Sequence, residues 1–148
     1  MRALITGANR GIGAALSFEL ASRGCDVIGT ARSGDGLETL DVTDPASVAA
    51  LAERLDGVAL EALVCNAGVY LDKGQPLEGG YPAAMWAESF AANVTGVFLT
   101  VQALLPHLRR GATPRIMIIS SQMASHTRAP GGSRSEERRV GKECPLLC

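Results

Sequence analysis

Short apolar runs alternate with helical stripes along this chain. Ala3 to Thr6 is a β-like run ending at Gly7. Ile12, Leu16 and Leu20 then recur at the i, i+4, i+8 spacing of a helix that closes at Gly24 as its C-cap. Cys25 to Ala31 reads as a second buried strand, and Leu37 to Val42 as a third, ending at Asp41. Asp44 followed by Pro45 predicts a helix N-cap with proline at the first helical position. Val48, Leu51, Ala52 and Leu55 line one face of that helix. Leu60 to Cys65 is the next strand, closed by Asn66-Ala67-Gly68, and 69–81 is a polar loop rich in glycine and proline. From Ala83 to Leu108 a long helical pattern carries Trp86, Phe90, Val94, Val97 and Val101 as its stripe. Ile116 to Ile119 has the unbroken apolar character of a parallel strand buried on both faces. Strands alternating with helices predict an α/β fold with a doubly wound parallel sheet. One join is unusual: Arg32 to Gly36 is far shorter than the roughly dozen residues of a parallel crossover, so the helix expected there is reduced or absent.

Composition narrows the class. A chain of 148 residues is the size of one domain, and 47% apolar with 20% charged residues fits a globular protein. With 14 basic against 15 acidic side chains, there is no footprint for bulk binding to nucleic acid or a membrane surface. No uninterrupted apolar run reaches the roughly 18 residues of a membrane span, and the first residues are too short for a signal peptide. A cytoplasmic protein is expected. Cys25 and Cys65 sit in strand-like runs as small hydrophobes, while Cys144 and Cys148 lack the second pair or histidine of a zinc site, so no metal is expected. The end of the chain breaks the pattern. Seven of the fifteen residues from Arg134 to Cys148 are charged and none shows strand or helix periodicity, which reads as a solvated terminus. Arg134 to Cys144, RSEERRVGKEC, also resembles the in-frame translation of a sequencing adapter. The expected organisation is therefore one domain over 1–133 and a foreign, disordered tail over 134–148.

The chemistry begins at Thr6-Gly7-Ala8-Asn9-Arg10-Gly11-Ile12-Gly13, set between a strand and a helix. Backbone N–H groups at a helix N-terminus attract phosphate, and glycines let it approach without Cβ clashes. No Gly-Lys-Ser/Thr follows, so this is not a P-loop, and the spacing is not GxGxxG. Asn93 lies inside a helix, where propensity disfavours it, which points to a specific role. Ser120 and Ser121 alone would read as turn formers, Trp86 as core or lid packing, and His126 as a solvated loop residue.

Together these motifs resemble the short-chain dehydrogenase/reductase family from Met1 to about Ser133. The family's TGxxxGxG is present as Thr6, Gly7, Gly11 and Gly13, with Asn9, Arg10 and Ile12 inside it. Its NNAG appears as Cys65-Asn66-Ala67-Gly68, with cysteine in place of the first asparagine. Asp41-Val42 matches the pair that contacts adenine, Asn93 the catalytic-helix asparagine, and Ser121 the catalytic serine. The resemblance implies a Rossmann-type sheet in the order 3-2-1-4-5, truncated after about the fifth strand. It implies hydride transfer between a nicotinamide cofactor and a small carbonyl or alcohol substrate, in a homo-oligomeric parent. Ser121 would bind the substrate oxygen and Asn93 would hold a water of the proton relay.

Charge speaks to the cofactor. An acidic residue ending the second strand would bind the ribose diol of NAD, but here Ala31 is followed by Arg32, and Arg10 lies in the glycine loop. Two guanidinium groups favour the 2′-phosphate of NADP over NAD, with Asp35 the one opposing charge nearby. The pattern then breaks. The family's Tyr-x-x-x-Lys pair, whose tyrosine moves the substrate proton, is missing: no tyrosine follows Ser121, and Lys142 has Arg138 four residues before it. A non-catalytic dinucleotide-binding or redox-sensing module is the competing expectation.

Overall fold

A computed structural model describes residues 1–74, 76 and 78–121. The elements are β1 (Arg2–Thr6), α1 (Gly11–Ser22), β2 (Asp26–Ala31), β3 (Glu38–Thr39), α2 (Pro45–Arg54), β4 (Ala62–Cys65), α3 (Ala83–Phe90), a π turn (Ala91–Thr95), α4 (Gly96–Arg109) and β5 (Arg115–Ile118). The five strands form one parallel sheet in the order β3-β2-β1-β4-β5. The expected doubly wound, Rossmann-like sheet is present. The tail over 134–148, Cys144, Cys148 and His126 lie outside the described residues.

Both faces of β1 are covered, and its side chains from Ala3 to Thr6 are buried. On one face Leu4, Leu63 and Cys65 pack against Val48 and Leu51 of α2, Leu55 just after it, and Leu104 and Leu108 of α4. On the other, Ile5, Ala8 and Val64 meet Leu16 and Leu20 of α1. Ile12, the first member of the predicted α1 stripe, is instead exposed. Helix ends follow their sequence signals. Gly24 (φ +78) donates to the Ala21 carbonyl at 2.9 Å and Cys25 N–H to that of Leu20 at 3.0 Å, the paired bonds of a Schellman stop. Asp44 caps α2 by accepting from Ala46 N–H at 2.9 Å, with Pro45 at N1.

Four expectations are corrected. The third strand is two residues long, not the run from Leu37 to Val42, because only Thr30↔Glu38 and Ala31↔Thr39 pair. That explains the short join: β3 enters level with the end of β2, so the chain needs no long return. Leu37 stays outside the strand and lies over Gly29, where an added Cβ would be 2.7 Å from Leu37 Cδ2. Next, Trp86, Phe90 and Val94 are exposed. The buried side of the long helix carries Ala92, Gly96, Thr100, Leu104 and Leu108. The π turn shifts the phase of the stripe, and close approach decides the face, since a Cβ on Gly96 would lie 2.7 Å from the Val42 carbonyl oxygen. Third, β5 is not buried on both faces: Ile116, Met117 and Ile118 are 46–58% exposed. Among the described residues no strand pairs with its outer edge.

Finally, Ala83–Arg109 is continuous, 27 residues long, and contains an 18-residue window of mean hydropathy 1.3. By length and composition it could span a membrane, although no uninterrupted run does. The scattered polar residues broke the run without lowering the average enough. Within this fold its second half is a core helix, with Leu104 and Leu108 packed on the sheet.

Candidate functional site

The loops that follow β1, β2, β3 and β4 meet at the C-terminal edge of the sheet. There the strand order reverses between β1 and β4, the position where open α/β sheets leave a crevice. A cleft of about 370 Å³ occupies it.

Its floor is knotted from two loops. Thr6 Oγ1 accepts from both Asn66 N–H and Ala67 N–H at 2.9 Å. The Asn66 side-chain amide donates back to the carbonyls of Thr6 (2.9 Å) and Gly7 (3.1 Å). The buried Thr6 hydroxyl is thus the anchor through which β1 fixes the loop after β4. Gly7 (φ +67) and Gly11 (φ +57) occupy backbone conformations that favour glycine. Gly13 is there for space, because a Cβ on it would sit 2.2 Å from the Gly7 carbonyl oxygen and 2.5 Å from the Asn66 amide nitrogen. A Cβ on Gly11 would meet nothing within 4 Å, so that side of the loop is open.

The first turn of α1 has no capping side chain and no acidic residue, unlike α2 with its Asp44 cap. Its N-terminal N–H groups are left for an anion, and the positive end of the helix dipole favours one. Arg10 and Arg32 line the same cleft, while Asp35 does not. Asp41 Oδ1 accepts from Thr43 N–H (2.9 Å) and Thr43 Oγ1 (2.7 Å). These two bonds, with Arg32 adding a weaker pull, hold its carboxyl below the ordinary value despite some opposing burial. Thr30 Oγ1, fully buried behind the cleft wall, has no hydrogen-bond partner among the described residues. The uncapped N–H groups of the first α1 turn, with Arg10 and Arg32 in the cleft wall, are the features a phosphorylated ligand would complete. The residues present fit a dinucleotide.

A second cavity of about 380 Å³ adjoins the first, with Val69 in the walls of both. Ser121 and Asn93 line it, together with Tyr70, Tyr81, Met85 and Trp86. Asn93 sits in the π turn and grips the loop that separates the cavities: Val69 N–H donates to its Oδ1 at 2.8 Å and its Nδ2 donates to the Val69 carbonyl at 2.9 Å.

Nine of the thirteen expected cofactor residues line the first cleft, which makes it one site rather than scattered motifs: Gly7, Asn9, Arg10, Arg32, Asp41, Val42, Asn66, Ala67 and Gly68. Thr6 and Gly13 lie beneath it as supports, and Gly11 and Ile12 stand at the start of α1 without lining it. Sequence reasoning missed Thr30, Ser33, Thr43, Val69 and Glu88. The D-x-T spacing of Asp41 and Thr43 was a readable turn signal. The others carry no local mark.

The short chain dehydrogenase model matches residues 1–133. The chain belongs to that family. Among short-chain dehydrogenases, it is 34% identical over 134 residues to the 3-oxoacyl-[acyl-carrier-protein] reductase FabG of Escherichia coli, covering 80% of this chain and 54% of that one. A Burkholderia multivorans putative short-chain dehydrogenase/reductase with bound NADP superposes with a TM-score of 0.78 at 29% identity, over 99% of this chain and 69% of that one. The 3-alpha-hydroxysteroid dehydrogenase of a Pseudomonas species, complexed with NADH, gives 0.66 at 33% identity, over 85% and 50%. The chain spans about half the length of the curated relatives it matches.

Proposed function

We propose that this chain is the cofactor-binding part of an NADP-dependent oxidoreductase acting on a small carbonyl or alcohol substrate. The observation that carries the reading is the single cleft in which the glycine loop, Arg10 and Arg32 converge. In this reading the uncapped first turn of α1 and Gly11 receive the pyrophosphate. Arg10 and Arg32 face the 2′-phosphate, and Asp41 and Val42 hold the adenine. Thr6, Asn66, Ala67 and Gly68 keep the cleft floor in place, and Asn9 and Ile12 flank it. Bound NADP supplies or accepts a hydride at nicotinamide C4. Ser121 holds the substrate oxygen in the adjoining cavity. Asn93, whose side-chain amide is paired with the Val69 backbone, would hold a water of the proton relay. The proton donor of the family pattern is not in this sequence, and the substrate would need one from a native C-terminal half. The tail over 134–148 is read from its sequence as foreign. The parent is read as cytoplasmic and homo-oligomeric.

The competing redox-sensing module is disfavoured by Cys65, the thiol nearest the cleft loops. Burial pushes its pKa up to about 11, which keeps it protonated and a poor nucleophile. The test is cofactor discrimination. Arg32→Ala should weaken NADPH by about 1.5–3 kcal/mol, the loss of a charge-assisted phosphate contact, and leave NADH nearly unchanged. Equal losses for the two cofactors in a fluorescence titration would remove the basis for NADP.

A further inference from the structure

The second cavity carries information about the substrate. Its walls are mostly apolar and ring-bearing: Tyr70, Tyr81, Met85 and Trp86 stand around the Ser121 position. The rings are arranged rather than scattered. Tyr81 and Trp86 lie 6.2 Å apart at 57°, and Trp86 and Phe90 6.0 Å apart at 36°, both within the range of favourable tilted ring contacts. Among the described residues Trp86 is 48% and Tyr70 45% exposed, and both border the cavity. Large aromatic surface left at the mouth of a cavity is what an apolar ligand would cover. Charge sets the second condition. Asp72 is the one charged residue among the described lining residues, with no arginine or lysine beside it, although Lys73 is exposed next along the turn. An anionic substrate would meet a carboxylate and no counter-charge in the wall.

Resting on the oxidoreductase reading above, we infer that the second cavity selects an uncharged, ring-bearing ketone or aldehyde. Trp86 and Tyr81 are its specificity-determining side chains. The ring lies against them and the carbonyl oxygen turns toward Ser121. Small keto acids and other anionic carbonyl compounds are excluded by Asp72 and by the lack of a cation among the described lining residues.

The inference is tested by ligand-observed fluorine NMR on the 148-residue chain, with para-fluoroacetophenone and fluoropyruvate as probes. NADPH binding is followed in parallel by its own fluorescence. The aromatic ketone should broaden and fluoropyruvate should not. Trp86→Ala and Tyr81→Ala, both at the cavity mouth, should each weaken the ketone about 3–10-fold while NADPH binding stays at the parent level. Asp72→Asn should let fluoropyruvate broaden. Ketone broadening that survives both ring substitutions, or fluoropyruvate binding as well as the ketone, would overturn the inference. A chain that binds the ketone in this pattern but not NADPH would instead sink the cofactor reading and leave the ring-binding cavity standing.

Discussion

Gly13 and Gly11 lie two residues apart in one loop, and the structure gives them different physical duties. A methyl group on Gly13 would be 2.2 Å from the Gly7 carbonyl oxygen and 2.9 Å from its carbon, which is backbone that cannot swing aside. It would also lie 2.5 Å from the Asn66 amide nitrogen, whose two bonds to Thr6 and Gly7 join the loops after β1 and β4. Overpacking of this kind costs about 1–3 kcal/mol. Each displaced hydrogen bond adds about 0.5–1.5 kcal/mol. Gly13→Ala should therefore lower stability by roughly 2–6 kcal/mol, a large part of what a domain this size has. Gly11 is the contrast, with open space around it and only its φ of +57 to satisfy. Asparagine tolerates that conformation, so Gly11→Asn should unfold near the parent midpoint and yet bind NADPH weakly, because its side chain enters the phosphate space. Urea unfolding followed by circular dichroism reads the first quantity, and NADPH fluorescence the second. A Gly13→Ala chain with the parent's urea midpoint would refute the packing argument. A Gly11→Asn chain binding NADPH like the parent would show that the phosphate does not lie over this loop.

Three further outcomes are expected. The Asp41 carboxyl is held below its ordinary value of 3.8, so its share of stability is present above that pH and is lost as the pH falls through the lowered folded value. Thr43→Val should raise the pKa of Asp41 in an NMR titration and shrink that acid-side loss; an unmoved titration would mean the Thr43 hydroxyl is not its main cause. The exposed Ile116, Met117 and Ile118 on an unpaired edge should make the chain self-associate, and Ile118→Lys should reduce light scattering at equal concentration. The 148-residue chain should oxidise no NADPH with aldehydes, ketones or quinones, since the lost proton donor alone is an effect of roughly 10²–10⁴ in rate. Joining residues 1–133 to a native C-terminal half with Tyr-x-x-x-Lys should restore turnover, and robust turnover without it would contradict the assigned roles.

The glycine loop and both helix caps were legible because each rests on local chemistry, whereas the strand order was legible only through the family resemblance. Gly24 needs a positive φ, Asp44 needs an N–H two residues on, and the Thr6-to-Gly13 motif needs a strand before it and a helix after it. The length of β3 was not legible, because Leu37 and Leu40 are apolar in either case and only the two available pairing positions on β2 decide where the strand stops. The face of the long helix was misread for a related reason. Its contact side is chosen by how closely Gly96 must approach Val42, which no periodicity in one segment can express. For the site, Thr30 and Val69 carry no distinguishing neighbours in sequence. They become part of it only because the sheet sets the ends of β2 and β4 on either side of β1.

The two borders of the sheet are unequal, and this limits how copies of the chain can join. At one border β3 offers two residues, too short a rail for a partner strand, while at the other β5 offers four, and no strand among the described residues pairs beyond them. A strand-to-strand contact therefore has one usable partner surface per copy, the same surface on each. Such a contact is self-complementary and closes around a twofold axis into a ten-stranded pair. Among the described strands β5 alone is long enough to serve as such a rail, so backbone pairing between copies is expected to stop at two.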